Sequence, residues 1–262
     1  MEYALDINDF TFKYDDKILF ENLNISLLRS SLCTFFCENG SGKSTLASII
    51  KGDIDAGYNV MVFDKLPSLS KKNVFVIDAN FDKCFKSSSI DEVIEKELLK
   101  YDVLLKNVSD RVSVFLELFG IDRDADVRSL SGSDKLVIIF LISLLSGVKM
   151  VVIDNIFEYL SVPIRNKMFR ILKTFNEKEL LTILNFTTNI EDALYMNELI
   201  IYKDKKVLMK GNTKEVLQNI DVFEENKIEL PFVVSLSNKL MFYDLIDRVY
   251  YDAGDLVNAI WK

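Results

Sequence analysis

The stretch Cys37-Glu38-Asn39-Gly40-Ser41-Gly42-Lys43-Ser44-Thr45 follows an apolar run and precedes an amphipathic one, and its reading decides the fold. Small residues let successive backbone N–H groups close round an anion at the N-terminus of the helix that follows. Lys43 adds a cation with the reach to meet outer phosphates, and Ser44 adds a hydroxyl suited to magnesium. Asn39 to Thr45 are therefore candidate nucleotide-binding residues. The bland alternative is a glycine-rich turn that holds nothing; the preceding strand, the Lys-Ser-Thr run and the following helix together weigh against it.

The pattern is almost a P-loop. It departs at Cys37, which stands in the place of the first glycine and carries a Cβ where the turn usually has none, so weaker affinity is expected. A P-loop calls for a second anchor, an apolar strand ending in an aspartate near the magnesium shell. Met150-Val-Val-Ile-Asp154 fits, which makes Ser44 and Asp154 the candidate metal ligands and ATP with Mg2+ the expected cofactors.

Outward from these anchors, β-type runs recur at 7–14, 23–28, 31–36, 60–63, 74–77, 149–153, 181–186 and 199–202, with helical patterns between the later ones. That rhythm predicts an α/β fold: an antiparallel β layer at the start, then βαβ units round a mostly parallel sheet. Residues 90–145 read as helical, with breaks at Gly120 and 130–132, and predict an inserted helical subdomain spanning about 88–146. The tail carries the charged stretch 224–229, expected to be a linker, and then a small helical appendix. The expected division is 1–219 and 220–262.

Composition narrows the function. The chain of 262 residues carries a net charge of -8 and has no lysine and arginine cluster in sequence to act as a phosphate-backbone footprint, so nucleic acid is not an expected partner. The apolar run 137–145 falls short of a bilayer span and no signal peptide opens the sequence, which places the protein on the cytoplasmic side. Cys33, Cys37 and Cys84 have neither zinc nor disulfide spacing and read as reduced, partly buried thiols. There is no histidine, which excludes histidine triads and histidine metal sites.

Leu130-Ser131-Gly132-Ser133-Asp134 opens a helix shortly before the Asp154 strand, and here the chain resembles the ABC ATPases, whose signature loop is usually LSGGQ. Leu130, Ser131 and Gly132 match; Ser133 and Asp134 depart. Alone, the turn would be a helix cap. The resemblance implies that this loop meets ATP held by an opposite subunit, that Tyr14 stacks on adenine, and that 161–163 forms an inter-subunit loop. Tyr14 could equally be an edge-strand tyrosine. Segments 228–236 and 255–261 look like the C-terminal appendix of energy-coupling-factor ATPase subunits, although an amphipathic cap would read the same.

The resemblance also exposes losses. Asn155 stands where the family has its catalytic glutamate, Thr188 where it has its switch histidine, and Ala79, or a residue beside it, where it has a glutamine, with Asp78 the nearest polar substitute. An amide cannot accept the proton, and such a loss costs about a hundred- to ten-thousand-fold in rate. Weak hydrolysis is thus expected at this chain's own P-loop. The implied assembly is a heterodimer with a second ATPase subunit, plus a transmembrane coupling protein and a substrate-binding membrane subunit, at the cytoplasmic face of the membrane. The imported substrate would be a micronutrient such as a vitamin or metal ion. Rival readings are a soluble non-transport ABC protein and a non-hydrolysing, nucleotide-gated structural or regulatory subunit.

Overall fold

The computed structural model describes residues 2–14 and 17–261. Alternating apolar residues give β1 (Tyr3–Tyr14) and β2 (Lys17–Leu28) one buried face each, and the two pair antiparallel from Tyr3 opposite Leu28 to Tyr14 opposite Lys17. The next strand, β3 (Leu32–Cys37), leaves this layer, and β4 (Val60–Val62) returns to pair with β1.

A six-stranded sheet forms the second layer in the order β5-β6-β7-β3-β8-β9. Its members β5 (Val74–Ile77), β6 (Met150–Asp154), β7 (Thr182–Thr187), β3 and β8 (Glu198–Lys203) run parallel. The edge strand β9 (Lys206–Asn212) runs antiparallel to β8. The sequence reading did not anticipate β9. Its residues are only partly buried, and the turn before it is Asp204-Lys205, both at positive φ (49° and 63°), without the glycine that advertises such a hairpin.

Between the layers lies α1 (Lys43–Lys51), which buries Leu46, Ala47, Ile49 and Ile50 in a core shared with β1, β2 and β3. The helical block comprises α2 (Ile90–Leu99), α3 (Ser109–Leu118) and α4 (Gly132–Leu145). In α4 every residue from Leu136 to Leu145 is buried, which explains the apolar run at 137–145: the helix is surrounded by α2, α3 and the sheet. No helix among the described residues is long and apolar enough to cross a membrane. Helix α5 (Val162–Glu179) follows, with Pro163 in its first turn.

The end of the chain folds as α6 (Thr213–Leu217), α7 (Ile220–Glu225), α8 (Phe232–Phe242) and α9 (Ala253–Ile260). The charged stretch 224–229 is not the open linker expected from its composition. Glu224 and Glu225 complete α7, and Phe223 and Ile228 on either side are buried with Val234 and Leu256 against Ile190, Leu199 and Ile201. Two apolar anchors outweigh the solvation of the charges between them.

Candidate functional site

Parallel pairing brings the carboxyl ends of β3, β6 and β7 together, with Phe36 opposite Thr187 and Asp154 opposite Phe186. The loop after β3 turns through Gly40 (φ 76°) and Gly42 (φ 99°) into α1. At Gly42 a Cβ would lie 2.7 Å from Cζ of Phe20, so both the backbone and the space beside it require glycine. Lys43 is buried, and its ammonium donates to the carbonyl oxygens of Glu38 (2.9 Å) and Cys37 (3.3 Å).

Cys37 is the last residue of β3, buried, and not among the residues with positive φ, so its backbone conformation does not call for glycine. Burial pushes its thiol up to about 11, against the Ser41 hydroxyl and the Lys43 charge that lower it. All three cysteines are free, Cys33 and Cys37 fully buried and Cys84 partly.

Asp154 ends β6 and is buried at 7% exposure. Desolvation raises its pKa, while the hydrogen bond from the Ser44 hydroxyl and the charge of Lys43 oppose the rise. A cavity of about 410 Å³ joins this carboxylate to Asn39, Gly40, Gly42, Lys43 and Ser44; Thr45, Ala79 and Asn155 also line it. One carboxylate and one hydroxyl on a single wall, beside a buried ammonium and a loop of turned glycines, can hold a hydrated divalent cation together with a polyphosphate.

Asn155 adopts positive φ (55°), which asparagine tolerates better than most residues. Its side-chain oxygen accepts from the N–H of Thr188 (3.1 Å) and lies 3.4 Å from the Thr188 hydroxyl. Ala79, not Asp78, faces the cavity. The Asp78 carboxylate accepts from the N–H of Asn80 (2.7 Å) and lines a neighbouring cavity, from where its charge still raises the pKa of Asp154.

Tyr14 does not line the cavity; it is 50% exposed and its ring packs edge-on against Phe12 at 5.3 Å. Leu130, Ser131 and Gly132 also stand apart, at the start of α4. The sequence reading overlooked Leu19, Glu158 and Tyr159, which line the cavity. Glu158 and Tyr159 could have been suspected from their closeness to Asp154; Leu19 carries no such signal.

A family model described as ABC transporter matches residues 20–158, from β2 through the turn after β6. The chain belongs to the ABC transporter family. This ABC chain is 23% identical to an energy-coupling factor transporter ATP-binding protein of Mesomycoplasma hyopneumoniae, an alignment covering 98% of this chain and 97% of that one. The counterpart of Oenococcus oeni is 24% identical, over 92% and 91%. Among solved structures, cbiO1 from Clostridium perfringens, part of the ABC transporter complex cbiONQ, superposes with a TM-score of 0.73 at 19% identity, covering 88% of this chain and 96% of that one. A dimeric ATP-binding cassette in a post-hydrolysis state with ADP and Pi gives 0.67 at 18%, over 80% and 98%.

Two further features of this ABC chain bear on its site. At the start of α4 the Ser131 hydroxyl accepts from the N–H of Asp134 (3.1 Å), while the Asp134 carboxylate accepts from the N–H of Ser131 (3.1 Å) and lies 2.7 Å from its hydroxyl. Asp134 thus folds back as a reciprocal cap instead of projecting outward. Beside the phosphate loop, the Lys203 ammonium pairs with Glu38 (2.8 Å) and also donates to the carbonyl of Asn226 in the tail (2.7 Å).

Proposed function

We propose that the chain is one ATP-binding half of an energy-coupling-factor importer, with Asn39 to Thr45 cradling the phosphates and Ser44 and Asp154 completing the magnesium shell. Residues 1–219 would form the ATPase module and 220–262 an appendix that helps hold the subunits together. Likeness to energy-coupling-factor ATP-binding proteins over nearly the whole chain supports the assignment. The assembly would take a second ATPase subunit and two membrane proteins, at the cytoplasmic face, and import a vitamin or metal ion.

At its own P-loop this subunit binds ATP and turns it over poorly. One observation carries that part of the reading: at the position of the expected base stands an amide, and its acceptor oxygen is engaged by Thr188. Neither group can take a proton from water at neutral pH. Glu158 is exposed at the rim of the cavity. The dimer would therefore be asymmetric, with the partner's P-loop site doing most of the hydrolysis and this chain lending it Leu130, Ser131 and Gly132. Gly132 fits that role: it has ordinary φ and open space where a Cβ would stand, so packing does not require a glycine there. Tyr14 keeps its assignment to adenine as part of this proposal, together with the loop at 161–163.

A second reading, a nucleotide-gated structural subunit, is favoured by the same Asn155–Thr188 contact and differs only in what the partner does. ATP binding and turnover by the isolated chain, and then with its candidate partner, separate the cases. Tight binding without turnover, and hydrolysis that appears only with the partner, is the expected result. Robust turnover by the chain alone, abolished by Lys43→Ala, would sink the asymmetric half-motor.

A further inference from the structure

Lys203 ends β8 one residue beyond Tyr202, which lies opposite Cys37, and so stands beside Glu38 at the start of the phosphate loop. Its ammonium joins the Glu38 carboxylate (2.8 Å) and donates to the carbonyl of Asn226 (2.7 Å), the residue that closes α7. Lys43 holds the main chain of the same loop residue, donating to the Glu38 carbonyl (2.9 Å). Glu38 is thus gripped from inside by Lys43 and from outside by Lys203. A second contact fixes the next helix of the tail. The Glu191 carboxylate accepts from the N–H of Phe232 (2.6 Å), the first residue of α8, an amide with no acceptor inside its own helix. Only the short segment 226–232 separates the two contacts, and Ile228 within it is buried.

We infer that Lys203 is a positioning residue for ATP: it sets the start of the phosphate loop from the tail, and Glu191 keeps the tail where Lys203 can reach it. The inference rests on the ATP-binding reading above and adds a regulatory input to that site, because whatever displaces the tail loosens the hold on the phosphates. As an ion pair the contact is worth little, since the Glu38 side chain is 61% exposed. Its effect is geometric. The Lys203 side chain is only 19% exposed and spans acceptors from two separate segments, and the N–H groups of the loop converge on an anion only when its first residue is fixed. Geometry and charge make opposite forecasts here. Lys203 brings a cation toward the site and Glu191 an anion, so a pure field effect would weaken ATP binding on loss of the first and tighten it on loss of the second. Positioning weakens it in both cases.

The test is calorimetric titration of the full chain with ATP and Mg2+. Lys203→Met should weaken binding about five-fold or more, and Lys203→Arg, which keeps donors for both acceptors, should restore most of the loss. Lys206→Met removes the same charge from the exposed residue opposite Lys203 on β9 and should bind as the native chain does. Glu191→Ala should weaken binding, while Glu191→Gln, equally neutral but still an acceptor for the Phe232 N–H, should not. Tighter or unchanged binding in Glu191→Ala, or equal losses in Lys203→Met and Lys206→Met, would overturn the inference. Hydrogen exchange on the native chain gives a measurement that needs no variant to fold. Coupling is reciprocal, so ATP should slow amide exchange at 226–236 as well as at 38–45. Protection confined to 38–45 would also overturn the inference. If ATP does not bind the native chain at all, the half-motor reading falls, and exchange without nucleotide decides the inference by itself. Glu191→Ala should then speed exchange at 38–42 and leave α2 unchanged; no change at 38–42 would sink it.

Discussion

The side-chain oxygen of Asn155 accepts a hydrogen bond from the backbone N–H of Thr188, tying the end of β6 to the end of β7. Asn155→Ala removes that acceptor from a partly buried N–H at a residue with positive φ, and the fold should lose about 1–2 kcal/mol, read by denaturant titration. ATP affinity should change little, because the side-chain oxygen is turned to Thr188 while Lys43, Ser44 and the loop amides stay in place. Asn155→Glu with Thr188→His should lower the melting temperature as well, and any turnover it restores should stay below that of a working pair. A double variant that is both fully stable and rapidly hydrolytic would show that the clamp has no structural role.

Gly42 and Cys37 should respond in opposite ways to the substitutions that seem natural from the motif. Gly42→Ala forces a Cβ into Phe20 at a φ of 99° and should cost about 1–3 kcal/mol together with ATP binding. Cys37→Gly, which restores the usual residue, should not tighten binding. It deletes a buried side chain at the end of β3 and should destabilise the chain. Tighter ATP binding in Cys37→Gly, by calorimetric titration, would revive the strain argument.

The reciprocal cap at the start of α4 gives a third test. Ser131→Ala should cost about 1 kcal/mol of stability through the lost cap alone. Asp134→Ala removes the carboxylate that accepts from Ser131, which frees the Ser131 N–H and hydroxyl proton as donors while the hydroxyl oxygen still accepts from the N–H of residue 134. In the assembled pair it should therefore raise hydrolysis at the partner's P-loop while lowering the stability of the isolated chain. If both variants depress turnover equally, the cap is not what limits the loop.

Lys51 ends α1, with its ammonium bonded to the Val74 carbonyl and the Tyr101 hydroxyl. Burial lowers its pKa from 10.5 to about 8, against the nearby Asp53 charge. In that window the unfolded chain binds more protons than the folded one, so this group's contribution to stability rises from pH 8 to 10.5. Below pH 8 the cost of burying the charge is fully present. Lys51→Met should flatten this part of the stability profile, measured by chemical denaturation at each pH.

The phosphate loop was legible in the sequence because its geometry is local: glycines, lysine and hydroxyl lie within nine residues and the backbone between them has few alternatives. The Asp154 strand and the helical block were legible for a similar reason, each being a single run with one period. What escaped depends on contacts between distant segments. The side chain of Asp78 turns toward Asn80 and Ala79 faces the cavity, which a one-residue uncertainty in alignment could not decide. The tail looked like a linker because its charges are contiguous, whereas its anchors Phe223 and Ile228 find their partners on β8 and the turn before it. Strand β9 was hidden by a hairpin turn built from aspartate and lysine.

The bridge from Glu38 through Lys203 to Asn226 bears on how the protein is made. Synthesis delivers the phosphate loop early, yet the cation that balances its first residue comes from β8, and the carbonyl that steadies this cation comes later still. A chain halfway off the ribosome already holds the local contacts of Lys43 with Cys37 and Glu38 but not the outer pair of Glu38 with Lys203. The loop is therefore shaped early, and its link to the tail is added only when the last segment arrives.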